Sequence, residues 1–98
     1  MAAPVYLGDE VSAAGYRLAG ALVRTPRRGE EAEALAWACR QAPLVLVTSS
    51  VAAAIAEPVW RAAVSSLSPL VLAVPDLRGE VPLPDLAARL RAQLGLDA

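Results

Sequence analysis

Four short apolar runs alternate with stretches in which apolar residues recur at helical spacing. The first run, Pro4–Leu7, is ended by Gly8-Asp9, and a helical pattern follows from Glu10 to Gly20. Ala21–Arg24 is a weaker second strand, closed by a turn over Thr25–Gly29 that contains Pro26 and Gly29. Glu30–Gln41 forms a second helical pattern with acidic residues in its first turn, where the helix dipole favours them. Leu44–Val47 is apolar at every position, as a central strand covered on both faces should be. A third helix is predicted from about Ser50 to Ser66, interrupted or kinked at Pro58. Leu70–Val74 is the fourth strand, Asp76–Pro82 a loop, and Pro84 opens a last helix that Gly95 closes. Strands alternating with helices predict an α/β fold with a four-stranded parallel sheet, order 2-1-3-4. Residues 1–82 make the sheet domain, and 83–98 a C-terminal helix of the same domain or a docking element.

Placing residues at 100° intervals predicts which side of each helix is buried. In the first helix Val11, Ala14, Gly15 and Leu18 share the stripe expected to lie on the sheet, and Tyr16 falls off it beside Arg17. In the second, Ala32, Leu35, Ala36 and Cys39 form the inner stripe and Trp37 points the opposite way. Trp60 lies with Ala63, Val64 and Leu67 and reads as core. Leu83, Leu86, Ala87, Leu90 and Leu94 make one stripe on the last helix, flanked by Arg89 and Arg91. That stripe can cover the sheet or a partner helix, not both fully at once. Off-stripe Trp, Tyr and Arg are residue types enriched at interface hot spots. Tyr16, Arg17, Trp37, Leu86, Leu90 and Leu94 are therefore the candidate partner-binding residues. The alternative is that each ring simply covers its own helix.

Composition narrows the chemistry. The 98 residues contain no His and no Phe, and all nine basic residues are Arg. Without His there is no Ser–His–Asp triad or imidazole metal ligand, and without Lys no Walker-A clamp or Schiff base. A single Cys39 excludes an internal disulfide. No catalytic residue, metal ligand or cofactor is expected. The net charge of −1, and the cluster Arg24, Arg27 and Arg28 running into Glu30, Glu31 and Glu33, argue against nucleic acid. Met1–Val5 has no positive n-region, and Gln41–Ala56 is too broken for a membrane span, so no membrane insertion is expected. A reducing, cytoplasmic setting is expected.

Ligand crevices of open parallel sheets lie at the C-terminal strand ends. Asp9 and Glu10, Thr48, Ser49 and Ser50, and Asp76 stand there. The architecture is flavodoxin- or receiver-like, but the third strand ends in Thr48-Ser49, where a phosphoacceptor receiver needs Asp, and the receiver's Lys is missing. A cation site of Asp9, Glu10 and Asp76 competes with the commoner use of such carboxylates as helix caps.

The segment Gly8-Asp9-Glu10-Val11-Ser12-Ala13-Ala14-Gly15-Tyr16-Arg17-Leu18-Ala19-Gly20 resembles the N-terminal signature of the F-subunits of V-type and A-type rotary ATPases. That family shows Gly-Asp after the first strand and then Gly-Phe-Arg-Leu-Ala-Gly at this spacing. Leu44–Thr48 with Ser49–Ala56, Leu70–Pro75, and Leu86–Leu94 with Gly95-Leu96-Asp97 resemble the family's later elements in the same order. Tyr16 and Leu96 stand where Phe is usual, and Val11–Ala14 replaces a segment normally rich in Thr and Asp. The resemblance implies a non-catalytic rotor subunit, peripheral to the membrane. It would pair with a coiled-coil central-stalk subunit inside the catalytic hexamer and couple ATP hydrolysis or synthesis to proton or sodium transport. By position it places Arg17 and Leu18 in the signature helix, with Leu18 in the core, and Leu86, Leu90 and Leu94 in the closing helix. The competing reading is a stand-alone receiver-like regulatory module that binds a small ligand or cation at the Asp9/Ser49/Asp76 edge.

Overall fold

The computed structural model describes residues 3–74 and Ala92. The elements are β1 (Val5–Leu7), α1 (Glu10–Leu18), β2 (Leu22–Arg24), α2 (Glu31–Gln41), β3 (Leu44–Thr48), α3 (Ser49–Ala54), α4 (Glu57–Val64) and β4 (Leu70–Val74). The four strands pair in parallel in the order β2-β1-β3-β4, as the alternation predicts. The predicted closing helix, with Leu86, Leu90 and Leu94, and the loop carrying Asp76 lie outside the described residues.

Strand alternation sorts the side chains into two cores. Val5 and Leu7 of β1, Val45 and Val47 of β3 and Val71 of β4 point to one face, where Ala34, Leu35 and Ala38 of α2 and Ile55 after α3 cover them. Tyr6 and Leu46 point to the other face and meet Ala13, Tyr16 and Ala19 of α1. Leaving β1 for β2 and then crossing back over β1 to β3 puts α1 and α2 on opposite faces, as right-handed crossovers require.

α1 begins where Asp9 accepts hydrogen bonds from the Val11 and Ser12 amides, both at 3.1 Å, a cap worth about 1 kcal/mol. It ends at Gly20, whose φ of 103° would strain any other residue, while the Ala21 amide bonds back to the Tyr16 carbonyl. The buried side of α1 is not the predicted one. Ser12, Ala13, Gly15 and Tyr16 are buried, whereas Val11 and Leu18 are 53% and 51% exposed. The Tyr16 ring decides the rotation by stacking on Tyr6, centroids 4.0 Å apart and planes within 12°. Two aromatic rings remove more apolar area than Val and Leu would.

In α2 the buried side is Ala34, Leu35 and Ala38, so Leu35 is core as expected but Ala32 and Ala36 are exposed. Trp37 and Cys39 are half-buried against that core. The long helix predicted from Ser50 divides into α3 and α4, with extended backbone at Ile55 and Ala56 and Pro58 in the first turn of α4. Proline fits there because first-turn amides have no intrahelical acceptor, so the break falls ahead of it. Trp60 and Ala63 pack on the α2-side core, but Val64 is 38% and Leu67 89% exposed.

Candidate interaction surface

At the C-terminal strand edge the described polar residues among those predicted are engaged in local structure. Gly8 lies so close to β3 that a Cβ there would fall 2.5 Å from Thr48 Cγ2 and closer still to the Tyr6 hydroxyl. That approach brings Asp9 over the first turn of α1, where its carboxylate caps the helix. Glu10 accepts a hydrogen bond from the Thr25 hydroxyl at 3.0 Å. The Thr48 and Ser50 hydroxyls meet at 3.3 Å, and the Ser49 hydroxyl donates to the Val74 carbonyl at 3.4 Å. Among the described residues no three His, Cys, Asp or Glu gather in a metal-binding group.

The β2 edge of the sheet is more open. Leu22 and Arg24 of β2 are in register with Val5 and Leu7, so they share the face that α2 covers. There the Arg24 guanidinium carbon sits 4.2 Å from the centroid of the Trp37 ring, a cation–π contact worth about 0.5–1 kcal/mol. Trp37 therefore packs on its own fold and also forms part of an open surface. The pair borders a cleft of about 390 Å³ that also takes in Arg27, Glu30, Glu33 and Arg40. Three guanidinium groups and two carboxylates around one indole can take an acidic or amide-bearing segment by forked hydrogen bonds. Leu22, 49% exposed, extends this surface along the edge strand.

The candidate partner residues separate. Trp37 is at the cleft, half-buried. Arg17 is exposed on α1. Tyr16 is only 2% exposed and belongs to the core, so it offers no docking ring; burial also pushes its phenol above its ordinary pKa. Leu18 shows the reverse error, being exposed where core was expected. Sequence reasoning read Arg24 only as part of a neutralised basic cluster and did not pair it with Trp37. The signal was strand parity: Arg24 shares its side of β2 with Leu22, and the crossover rule puts α2 on that side. Cys39 lies beside this region, and burial pushes its thiol upward, which lowers its thiolate fraction at neutral pH.

No helix among the described residues is long and apolar enough to cross a membrane. Comparison of the sequence with protein-family models and with curated proteins gives no match.

Proposed function

We propose that this protein is a non-catalytic central-stalk subunit of a V/A-type rotary ATPase, held by a coiled-coil stalk subunit within the catalytic hexamer. The reading rests on the resemblance to the F-subunits, and the fold supports it in that the described similar segments, residues 8–20, 44–56 and 70–74, form successive strands and helices around one sheet. The observation that carries the docking part is the Arg24–Trp37 pair at an open cleft beside an exposed edge strand. Trp and Arg are enriched among the few residues that carry most of the binding energy at protein interfaces. Torque in such an assembly passes through packing, so a rotor subunit needs a stiff core and an adhesive rim. The rival, a small-ligand module at the strand edge, is less favoured because Asp9 is already engaged as a cap.

The test is retention of tagged protein with its partners from its native membrane extract. The native chain should hold a coiled-coil subunit together with the large nucleotide-binding subunits. Trp37→Ala should weaken that retention roughly tenfold or more, the loss expected of a hot spot. A folded, monomeric protein that retains none of these chains would sink the proposal. A melting temperature raised by a divalent cation or nucleotide would then favour the rival.

A further inference from the structure

The charges around the Trp37 cleft are spaced so that they do not cancel within their own helix. On α4, Arg61 pairs with Glu57 four residues before it, the spacing at which opposite charges meet on a helix. The cleft side of α2 lacks that spacing. Arg40 has Ala36 and Trp37 at four and three residues before it, and neither Glu30 nor Glu33 has a cation three or four residues after it. Glu33 and Arg40 are seven residues apart, about 10 Å along the axis. Arg24 and Arg27 line the same cleft from β2 and the connection that follows it. Among the described residues Arg24, Arg27 and Arg40 enter no ion pair, and all three are exposed.

Arg24 is the best prepared of the three. Its guanidinium carbon lies 4.2 Å from the Trp37 centroid, so the indole covers one face of the planar group. A contact through the face leaves the N–H groups, which lie in the plane, free along its edge. A guanidinium held in this way has given up freedom before a ligand arrives, which lowers the cost of a forked contact to a carboxylate. An amide could accept such hydrogen bonds but would leave the positive charge uncompensated. Arg40, three residues after Trp37 and on the same cleft, supplies a second cation. Glu30 and Glu33 line the cleft at the start of α2, where they repel a carboxylate. The charge along α2 is therefore directional: acidic at its start, the indole in its middle, basic at its end.

We propose that this cleft receives a partner helix through two carboxylates one turn apart, one on Arg24 and one on Arg40, with no carboxylate opposite Glu30 and Glu33. The inference rests on the docking reading above and adds to it the chemistry and the direction of the partner's surface. A helix fits because Glu30, Glu33, Trp37 and Arg40 recur at helical spacing along one side of α2, and such rows pack between the rows of a second helix. Leu22, 49% exposed on the same side of β2 as Arg24, adds apolar contact beside the charges. Reversing the partner would set its carboxylates against Glu30 and Glu33, so the order of charge selects one orientation.

The experiment exploits the absence of lysine from the chain, which makes one Arg→Lys replacement its single side-chain amine. Tagged full-length proteins carrying Arg24→Lys, Arg40→Lys or Arg61→Lys are each captured with their partners from the native membrane extract and treated with a water-soluble carbodiimide. The reagent activates a carboxylate, a neighbouring amine attacks it to form an amide, and the carbodiimide leaves as its urea. Arg61→Lys, whose amine should couple to Glu57 of its own helix, shows that the reaction proceeds. The amines at positions 24 and 40 should instead couple to Asp or Glu side chains three or four residues apart in the coiled-coil subunit, at roughly tenfold the yield from position 61. Arg24→Gln and Arg40→Gln, folded by circular dichroism, should each cut retention of that subunit about tenfold, as loss of one member of a close charge pair does. Retention of the subunit with amides only to Glu30 or Glu33, or with none, overturns this inference and leaves the rotary reading standing, as does undiminished retention of both Gln variants. Absence of the subunit from every capture overturns both.

Discussion

The two faces of the sheet are filled by different chemistry. Under α2 and α3 the core is aliphatic, with Val5, Leu7, Val45, Val47 and Val71 meeting Ala34, Leu35, Ala38 and Ile55. Under α1 it is organised around one stacked pair, Tyr6 and Tyr16, bordered by Ala13, Ala19, Ala21 and Leu46. An aliphatic face distributes its stabilisation over many modest contacts, whereas a face built on two rings concentrates it. In α1 the buried ring, and not the count of aliphatic residues, sets the helix orientation.

The sharpest way to break this comparison is to remove a ring. Tyr16→Ala should cost about 3–5 kcal/mol in denaturant unfolding, the range for deleting a buried aromatic side chain. Leu35→Ala, on the aliphatic face, should cost about 2–5 kcal/mol and rank below Tyr16→Ala, because no stack worth a further 0.5–1.5 kcal/mol or so is lost. The opposite ranking would mean that the aliphatic face holds the fold.

A smaller effect is expected at the end of α1. Asp9→Ala should lower stability by about 1 kcal/mol, and Asp9→Asn, which keeps a capping oxygen, by less. If Asp9→Ala leaves the unfolding midpoint unchanged, the cap does not anchor α1.

The smallest effect lies in the dependence on pH. Burial raises the Tyr16 pKa in the folded state above its ordinary value of about 10, so folding favours the neutral phenol. This contribution is fully present below about pH 10 and is lost as the pH climbs above that toward the folded-state pKa. Tyr16→Phe has no phenol to ionise, so its stability should fall less steeply above pH 10. Parallel curves for the two proteins would show that Tyr16 ionises as freely when folded as when unfolded.

The architecture was legible because strand runs such as Leu44–Val47 and Leu70–Val74 are short, dense and separated by helical patterns. Parity and crossover handedness then fix the rest. The helix orientations were not legible. Val11, Gly15 and Leu18 do form an apolar stripe, but a helix beside a sheet can carry two apolar sides, and periodicity alone does not rank them. Ranking them requires knowing that Tyr6 faces α1, a fact about strand parity set by the register with β3. Trp37 was legible as a ring off the main stripe. Its partner Arg24 was not, because the two are brought together only by the return of α2 across the sheet.

The strand order also carries a consequence for how the chain folds. β1 is made first but sits in the interior of the sheet, between β2 and β3. During synthesis it has one neighbour once Arg24 has emerged and lacks the second until Thr48 has done so. Residues up to Thr48 must therefore exist before β1 can be flanked on both sides. Parallel pairing of this kind closes long loops before it gains contacts, which slows folding relative to a helical bundle of the same size. The apolar Val5-Tyr6-Leu7 run spends that interval unshielded on one side, which leaves it open to aggregation until β3 arrives.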